Sequence, residues 1–415
     1  MNNAVDDARD AMRELFAPTP LQYNDFLSGK YGANVYLKRE DLTLVRSYKI
    51  RGAFNFFRKA LRVDQPPQRF VCASAGNHAQ GFAYVCRHFE KSGVVYMPVT
   101  TPPQKIAKTK AFGGAFIEVR LVGDIFDECY DAAKAYAESD GAMMVPPFDH
   151  ADIIEGQATV ASEIVAQLPK GAHADLMIIP VGGGGLSAGM TTYLCDQYAS
   201  QTFLFCEPAG APSLKESLKA GHRGKLKQVD NFVDGAAVAE IGEQNFEALK
   251  HFSADQVMLI AENAVCVTIT ELLNIEGIVL EPAGALAIAA LEEIGKSALA
   301  GKTVVVIVSG GNFDFERLPD VKERAMRHLG LKKYFVLRLA QRPGALKDFL
   351  NMLGPEDDIA RFEYLKKSAR NFGSILIGIE TRNSDNFDRL TKAFDDAGLR
   401  YEDITDNEIL ASLII

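Results

Sequence analysis

Short apolar runs alternate, along most of the chain, with stretches whose apolar positions recur every three to four residues. "RFVCAS" precedes "NHAQGFAYVCRHF", "VVYMPV" precedes "QKIAKTKAF", "DLMIIPV" precedes "LSAGMTTYLCDQY", and "TVVVIVSGG" follows further on. The first member of each pair has the length of a buried strand; the second has helical spacing, with Ala79, Phe82, Cys86 and Phe89 on one face. Such alternation predicts parallel sheets covered by helices on both faces. The span from about Asn34 to Val308 is too long for one doubly wound sheet. Two α/β lobes are therefore expected, with binding in the cleft between them at the carboxyl ends of the strands.

After "SGGNFDFERL" the texture changes. A charged helical connector, "PDVKERAMRHLGLKK", leads into strand "YFVLRLA", helix "GALKDFLNMLG", strands "DIARFEYLKKS" and "FGSILIGIET", helix "NFDRLTKAFDDAG" and a short strand near "YEDITD". The order βαββαβ is the ferredoxin-like split motif. The expected fold is thus an α/β, two-lobed catalytic part with parallel sheets over residues 1–318, a connector over 319–333, and an α+β ferredoxin-like domain over 334–415.

Composition narrows the function. A chain of 415 residues with 47% hydrophobic content builds sizeable cores without disulfides or structural metals. The net charge of −9, with lysines and arginines scattered among acids, argues against a nucleic-acid partner and for a small molecule. Cys72, Cys86, Cys129, Cys195, Cys206 and Cys266 show no metal-ligand spacing and sit in apolar runs, so buried, reduced thiols in a cytoplasmic protein are expected, and no metal. "MNNAVDDARDAMRELF" lacks the positive, apolar character of a leader, and no apolar run approaches a bilayer's width, so neither export nor membrane insertion is expected.

Four stretches carry candidate chemistry. In "IIPVGGGGLSAGM" a strand runs into Gly182, Gly183, Gly184 and Gly185 and a helix opens at Leu186, which gathers backbone N–H groups into an anion cradle suited to phosphate. Gly183, Gly185 and Ala188 also fit the GxGxxA dinucleotide fingerprint, with Glu207 at about the ribose-binding distance, so NAD is an alternative; the absence of GK[ST] excludes a triphosphate P-loop. In "SAGNHAQG", N–H groups with the Ser74 hydroxyl and the Asn77 amide can grip a carboxylate and a phenolic oxygen, or Ser74 can serve as a plain N-cap. "VSGGN" presents the Ser309 hydroxyl at a strand's carboxyl end. Lys49 in "VRSYKIRGAFNF" would, alone, be a solvated lysine at a helix end. An amine, a phosphate cradle, a carboxylate grip and a hydroxyl for a ring nitrogen are together the parts that hold pyridoxal phosphate as a Schiff base.

With "SYKIRGA", "SAGNHAQG", "GGGGL" and "SGGN" in order, the chain resembles the fold-type II pyridoxal-phosphate enzymes, and among them the biosynthetic threonine dehydratases, from "PTPL" near Pro18 to the C-terminus. "VPPFDHADIIEGQATVASEI" is also similar, with Ala158 where a glycine is common. The resemblance implies that Lys49 is the Schiff-base lysine and takes the substrate's Cα proton, and that Asn77 contacts the cofactor ring. It further implies that Gly182 to Leu186 hold the phosphate, that Ser309 faces the ring nitrogen, and that Ser74, Gly76, Asn77 and His78 line the substrate site. The implied reaction converts L-threonine to 2-oxobutanoate and ammonia, the first step of isoleucine biosynthesis. Residues 334–415 resemble the ACT-like domains of regulated members, with "QRPGAL" as the matching loop; one such domain stands where the longest members have two. Isoleucine as inhibitor, valine as a further effector and a homo-oligomer, dimer or tetramer, are the implied partners. A serine dehydratase or serine racemase on the same scaffold, or a non-catalytic amino-acid sensor, are the alternatives.

Overall fold

A computed structural model describes residues 2–169, 173–198, 201–365 and 372–407. The chain divides into two units, Met1–Phe313 and Asp314–Ile415. The first carries β1 (Leu21–Tyr23), β2 (Asn34–Arg39), β3 (Arg69–Ala73), β4 (Ser92–Met97), β5 (Ile117–Leu121), β6 (Met143–Met144), β7 (Leu176–Pro180), β8 (Phe203–Pro208), β9 (Val257–Ile260) and β10 (Thr303–Val308). The second carries β11 (Lys332–Ala340), β12 (Asp358–Leu365), β13 (Phe372–Glu380) and β14 (Arg400–Asp403).

Two sheets in the first unit make the two expected lobes. The larger runs β1-β2-β10-β7-β8-β9 and is parallel except for β1, which pairs antiparallel with β2. The smaller, β5-β4-β3-β6, is parallel throughout. Alternating residues of the large sheet, such as Met177 and Ile179 on β7, meet Ala161 and Ile164 of the Ala151–Gln167 helix and Met190 and Leu194 of the Gly185–Gln197 helix. In the small lobe the Lys49–Ala60 helix sends Ile50, Ala53, Phe54 and Phe57 into one core, the i, i+3, i+4, i+7 stripe of an amphipathic helix. Phe57 stacks on Phe70 of β3 with ring centroids 3.9 Å apart. Because the strands of both sheets other than β1 run parallel, each sheet delivers its loops at the carboxyl ends of its strands, where ligand sites are built in such folds.

A buried charge cluster ties the Lys49–Ala60 helix to the Ala151–Gln167 helix. Arg51, fully buried, donates from Nε to Glu40 Oε2 at 2.7 Å and from Nη2 to Glu40 Oε1 at 2.8 Å, Glu163 Oε2 at 2.8 Å and Thr19 Oγ1 at 3.0 Å. Lys38 Nζ, equally buried, donates to the same Glu163 oxygen at 2.7 Å, and Arg13 pairs with the other.

In the second unit the antiparallel order β12-β13-β11-β14 is that of a ferredoxin-like domain, with the Ala345–Leu350 and Asn386–Asp396 helices over a core of Phe335, Leu337, Phe349, Ile375, Ile377, Leu390 and Phe394. The Leu318–His328 helix, which the sequence suggests as a connector, is tied to this sheet: Lys332 Nζ pairs with Glu323 Oε2 at 2.5 Å and Glu380 Oε1 at 2.8 Å. β11 accordingly starts at Lys332, ahead of the expected 334. The end of "DIARFEYLKKS" and residues 408–415 lie outside the described residues.

Cys195 is exposed, unlike the other five cysteines, because it falls in the last turn of its helix where the chain leaves the core. Among the described residues no helix is long and apolar enough to cross a membrane.

Candidate active site

Lys49 is the first residue of its helix, and the loop ahead of it is pinned from several sides. Ser47 bridges to Gly310, and Tyr48 N–H donates to Ser309 O at 3.2 Å, so "SYK" and "SGGN" are sewn together through backbone. A Cβ on Gly81 would lie 3.1 Å from Ile50 N and 3.2 Å from Lys49 C, which brings "SAGNHAQG" against the same turn. Arg46 holds a φ of 58°, a left-handed conformation that a non-glycine residue adopts at a cost. The Lys49 amine donates to Pro147 O at 2.8 Å and lies 5.4 Å and 5.7 Å from the Tyr48 and Phe148 ring centroids. Burial lowers its pKa to about 8, opposed by the attraction of Glu281. Such an amine gives up its proton near neutral pH far more readily than a surface lysine.

Across Phe148 stands the glycine turn. Gly184, at φ 88°, is the N-cap of the Gly185–Gln197 helix, with no side-chain cap. A Cβ on Gly182 would meet Ala236 Cα at 2.9 Å, one on Gly185 would meet Phe148 O at 2.8 Å, and one on Gly183 would enter the Phe148 ring. Asn245 Nδ2 donates to Gly183 O at 2.7 Å and to Phe148 O at 3.3 Å, while Asp149 accepts from Glu243 N at 2.8 Å and Gln244 N at 2.9 Å. Leu186 is buried at the base. The result is a tight turn of backbone at a helix N-terminus, the geometry that favours an anion.

The Asn77–His88 helix begins after Gly76, which caps it without a side chain; Ser74 Oγ accepts from Gly76 N at 3.2 Å, one residue short of the first helical turn. Ser74 is therefore not the N-cap, and the first-turn N–H groups have no side-chain cap. Asn77 Nδ2 donates to Glu281 Oε1 at 2.6 Å, and its Oδ1 accepts from Asn312 Nδ2 at 2.7 Å. His78 is buried with Nε2 3.0 Å from Val145 O. Burial and the nearby Lys49 charge lower its pKa to about 3, only partly opposed by that bond, so the ring is neutral and Nε2 carries the proton. Ser309, 4% exposed, donates from Oγ to Ala283 O at 3.0 Å.

The sequence-derived residues thus converge, and the structure adds partners that the motifs did not contain. Val145, Pro147, Phe148 and Asp149 form a hub that touches His78, Lys49 and the glycine turn. "VPPFDH" was legible only as a similar segment, without roles. Asn245 and Glu281 carry no local signal, being single polar residues in or beside ordinary helices. Glu207, the ribose candidate of the NAD alternative, is fully buried and accepts from Leu214 N at 2.6 Å, Lys215 N at 2.9 Å and Ser213 Oγ at 3.2 Å. It caps a helix and has no reach to a ribose. By contrast, a desolvated amine beside a glycine cradle and an anchored amide fits pyridoxal phosphate.

Comparison with known proteins agrees with this geometry. Residues 12–310 match the family described as pyridoxal-phosphate dependent enzyme, and residues 323–414 match the C-terminal regulatory domain of threonine dehydratase. The biosynthetic L-threonine dehydratase of Halalkalibacterium halodurans is 44% identical over 98% of this chain and 97% of its own length; that of Bacillus subtilis is 44% identical over 98% and 96%. Threonine deaminase isoform 2 from Solanum lycopersicum, in its processed form, superposes with a TM-score of 0.72 at 37% identity, covering 78% of this chain and 87% of that one. The fold, the convergent site and 44% identity over 98% of the chain lead to one assignment: the chain belongs to the biosynthetic threonine dehydratases, pyridoxal-phosphate dependent enzymes with a C-terminal regulatory domain.

Proposed function

We propose that the protein eliminates water from L-threonine and releases 2-oxobutanoate and ammonia, with Lys49 as the Schiff-base lysine and the base that takes the Cα proton. The observation that carries the reading is the Lys49 amine, seated on Pro147 O with its pKa lowered to about 8 between the glycine turn and the Asn77 helix. The bound pyridoxal phosphate supplies the electron sink for the charge left at Cα. Gly182, Gly183, Gly184, Gly185 and Leu186 would hold its phosphate with backbone N–H groups, Asn77 would contact its phenolic oxygen, and Ser309, whose hydroxyl can rotate to donate or accept, would face its ring nitrogen. Ser74, Gly76, Asn77 and His78 line the seat of the substrate carboxylate, which the uncapped helix N-terminus favours. His78 adds no cation there, because it stays neutral.

The second unit is read as the effector-responsive part. Leu339, Leu346, Leu350 and Tyr364 line a cavity of about 540 Å³ together with Gly344, Arg342 and Lys347. Apolar walls beside two cations suit a branched aliphatic amino acid, isoleucine as inhibitor and valine as a second effector. Phe362, Tyr364 and Phe372 are exposed on β12 and β13, an apolar face in keeping with a homo-oligomer, dimer or tetramer. Cysteines that are all free accord with a cytoplasmic enzyme.

The test is a 2-oxo acid assay on purified protein with threonine or serine, each with and without isoleucine, together with its visible absorbance. Cofactor absorbance, turnover that favours threonine and loss of turnover with isoleucine are expected. Absence of cofactor absorbance overturns the catalytic reading, and a preference for serine overturns the substrate.

A further inference from the structure

Glu281 occupies the N-cap position of the Pro282–Ile294 helix, where a polar side chain ordinarily accepts from first-turn N–H groups, yet its carboxylate makes no such bond. It instead accepts from Asn77 Nδ2 at 2.6 Å. The residue is 6% exposed, and glycines clear its seat: a Cβ on Gly310 would overlap Oε1, and one on Gly235 would lie 3.8 Å from it. One of these glycines belongs to "SGGN". A buried carboxylate that forgoes its helix cap is costly, so its placement calls for a reason beyond helix stability.

The reason lies in what it does to Asn77. Glu281 accepts on the Nδ2 side while Asn312 donates to Oδ1 at 2.7 Å, and Asn312 is itself held by Val45 O at 2.8 Å and Lys108 Nζ at 3.0 Å. A flipped Asn77 would set oxygen against oxygen and nitrogen against nitrogen, so one orientation is enforced and one N–H remains for a ligand. Glu281 is also the acid whose charge acts on the Lys49 amine.

We infer that Glu281 is a positioning residue for the elimination: its carboxylate fixes the orientation of the Asn77 amide. The inference rests on the role proposed above for Asn77. Around the carboxylate stand Asp234 from the segment between β8 and β9, Lys105 and Lys108 of the Pro103–Gly113 helix, and Tyr48 and Lys49 at the head of theirs. Burial and Asp234 raise the carboxyl to about 7, against the Asn77 bond and the two lysines. Lys105 pairs directly with Asp234 at 2.5 Å, which tempers the repulsion.

The test compares Glu281→Gln and Glu281→Asp with the parent as holoenzymes, by visible absorbance against pH, kcat, KM and thermal unfolding. Glutamine keeps the volume and an oxygen for Asn77 but removes the charge. Loss of a nearby anion disfavours the protonated nitrogen, so the absorbance titration should move to lower pH by about one unit. Aspartate is one methylene too short to hold Asn77 as glutamate does and a neutral glutamine holds it more weakly, so either variant should lower kcat by about tenfold with little change in KM. Aspartate keeps the charge, so its titration should remain with the parent's while kcat falls. Should Glu281→Gln fail to fold, the aspartate variant decides, and a kcat equal to the parent's overturns the inference. A Glu281→Gln enzyme that titrates and turns over like the parent overturns it too, as does cofactor loss in both variants in step with a lowered unfolding temperature, which would make Glu281 a structural support. A parent protein without cofactor absorbance refutes the underlying functional reading instead, so the two failures are distinguishable.

Discussion

Replacing Gly183 with alanine adds one methyl group where the structure has no room for it. The new Cβ would enter the Phe148 ring, so the ring and its loop must move outward. Overpacking of this kind costs about 1–3 kcal/mol. The larger effect is on function, because the displaced loop carries Pro147 O, the acceptor of the Lys49 amine, and Phe148 O, which shares Asn245 with Gly183 O. A misplacement of about 1 Å can lower turnover by about 10²-fold. A hundredfold weaker cofactor affinity would correspond to about 2.7 kcal/mol, and would appear as that much less stabilisation by excess pyridoxal phosphate. The assay is a titration of cofactor absorbance, with kcat/KM for threonine and thermal unfolding at fixed cofactor concentration. Gly224→Ala is the control: a Cβ there meets nothing within 4 Å, so that variant should match the parent. If Gly183→Ala also retains the parent's cofactor affinity and kcat/KM, Phe148 does not wall the cradle and the argument fails.

Lys49→Ala should abolish turnover and the visible band while leaving the unfolding transition of the cofactor-free protein unchanged, because the amine makes one hydrogen bond, to Pro147 O; wild-type turnover with retained absorbance would sink the assignment. Arg342→Ala should weaken isoleucine inhibition by about tenfold, since a hydrogen bond to a charged group contributes about 1.5–3 kcal/mol, with uninhibited kcat unchanged; an unaltered inhibition curve would move the effector elsewhere. Glu163→Gln should destabilise the protein by about 3–5 kcal/mol in chemical unfolding at neutral pH, because it leaves Arg51 and Lys38 buried with half their compensation. Burial raises the Glu163 carboxyl, but Arg51 and Lys38 outweigh it and hold it below its ordinary value. Its contribution is therefore complete above the unfolded pKa of about 4.3 and is lost as pH falls below that, so the gap between parent and variant should narrow in acid; a gap that is constant with pH would contradict the pairing.

What the sequence disclosed and what it withheld differ in kind. Strands β3, β4, β7 and β10 are short apolar runs, and the Asn77–His88 helix after β3 keeps its apolar residues on one face, whereas the Gly185–Gln197 helix after β7 is buried nearly all round; the alternation of runs, more than the helical period, made both lobes legible. β6, at two residues, and β9, at four, are too short to carry a period and are defined by their pairing. In the site, Lys49, Asn77, the glycines and Ser309 stand at strand or helix ends inside recognisable motifs. Glu281 and Asn245 reach the site only because chain segments distant in sequence meet there, 204 residues apart for Asn77 and Glu281 and 62 for Gly183 and Asn245. No local window contains that information. Sequence also assigned Ser74 a possible capping role that the backbone withholds, because the chain places Gly76 at the helix boundary.

The same distinction explains "SYKIRGA". Lys49 and Arg51 are two residues apart, so on a helix they point about 200° apart, one to each side. Lys49 faces the cleft, whereas Arg51 faces the opposite way into the charge cluster, with bonds to Glu40, Glu163, Thr159 and Thr19. An apolar side chain there could fill the space but would accept many rotations of the helix about its axis. A guanidinium with its donors committed accepts few, because each bond fixes a direction. The Ser47–Gly310 bridge and the close approach of Gly81 fix the first turn at its other end. Helix rotation and helix start are thus set independently, and together they determine where the Lys49 amine stands relative to Pro147 O. A buried cluster of ion pairs can in this way be necessary for an amine on the same helical turn, which is why Glu163→Gln should lower kcat as well as stability although the bonds of Glu163 go to Arg13, Lys38, Arg51 and Thr19.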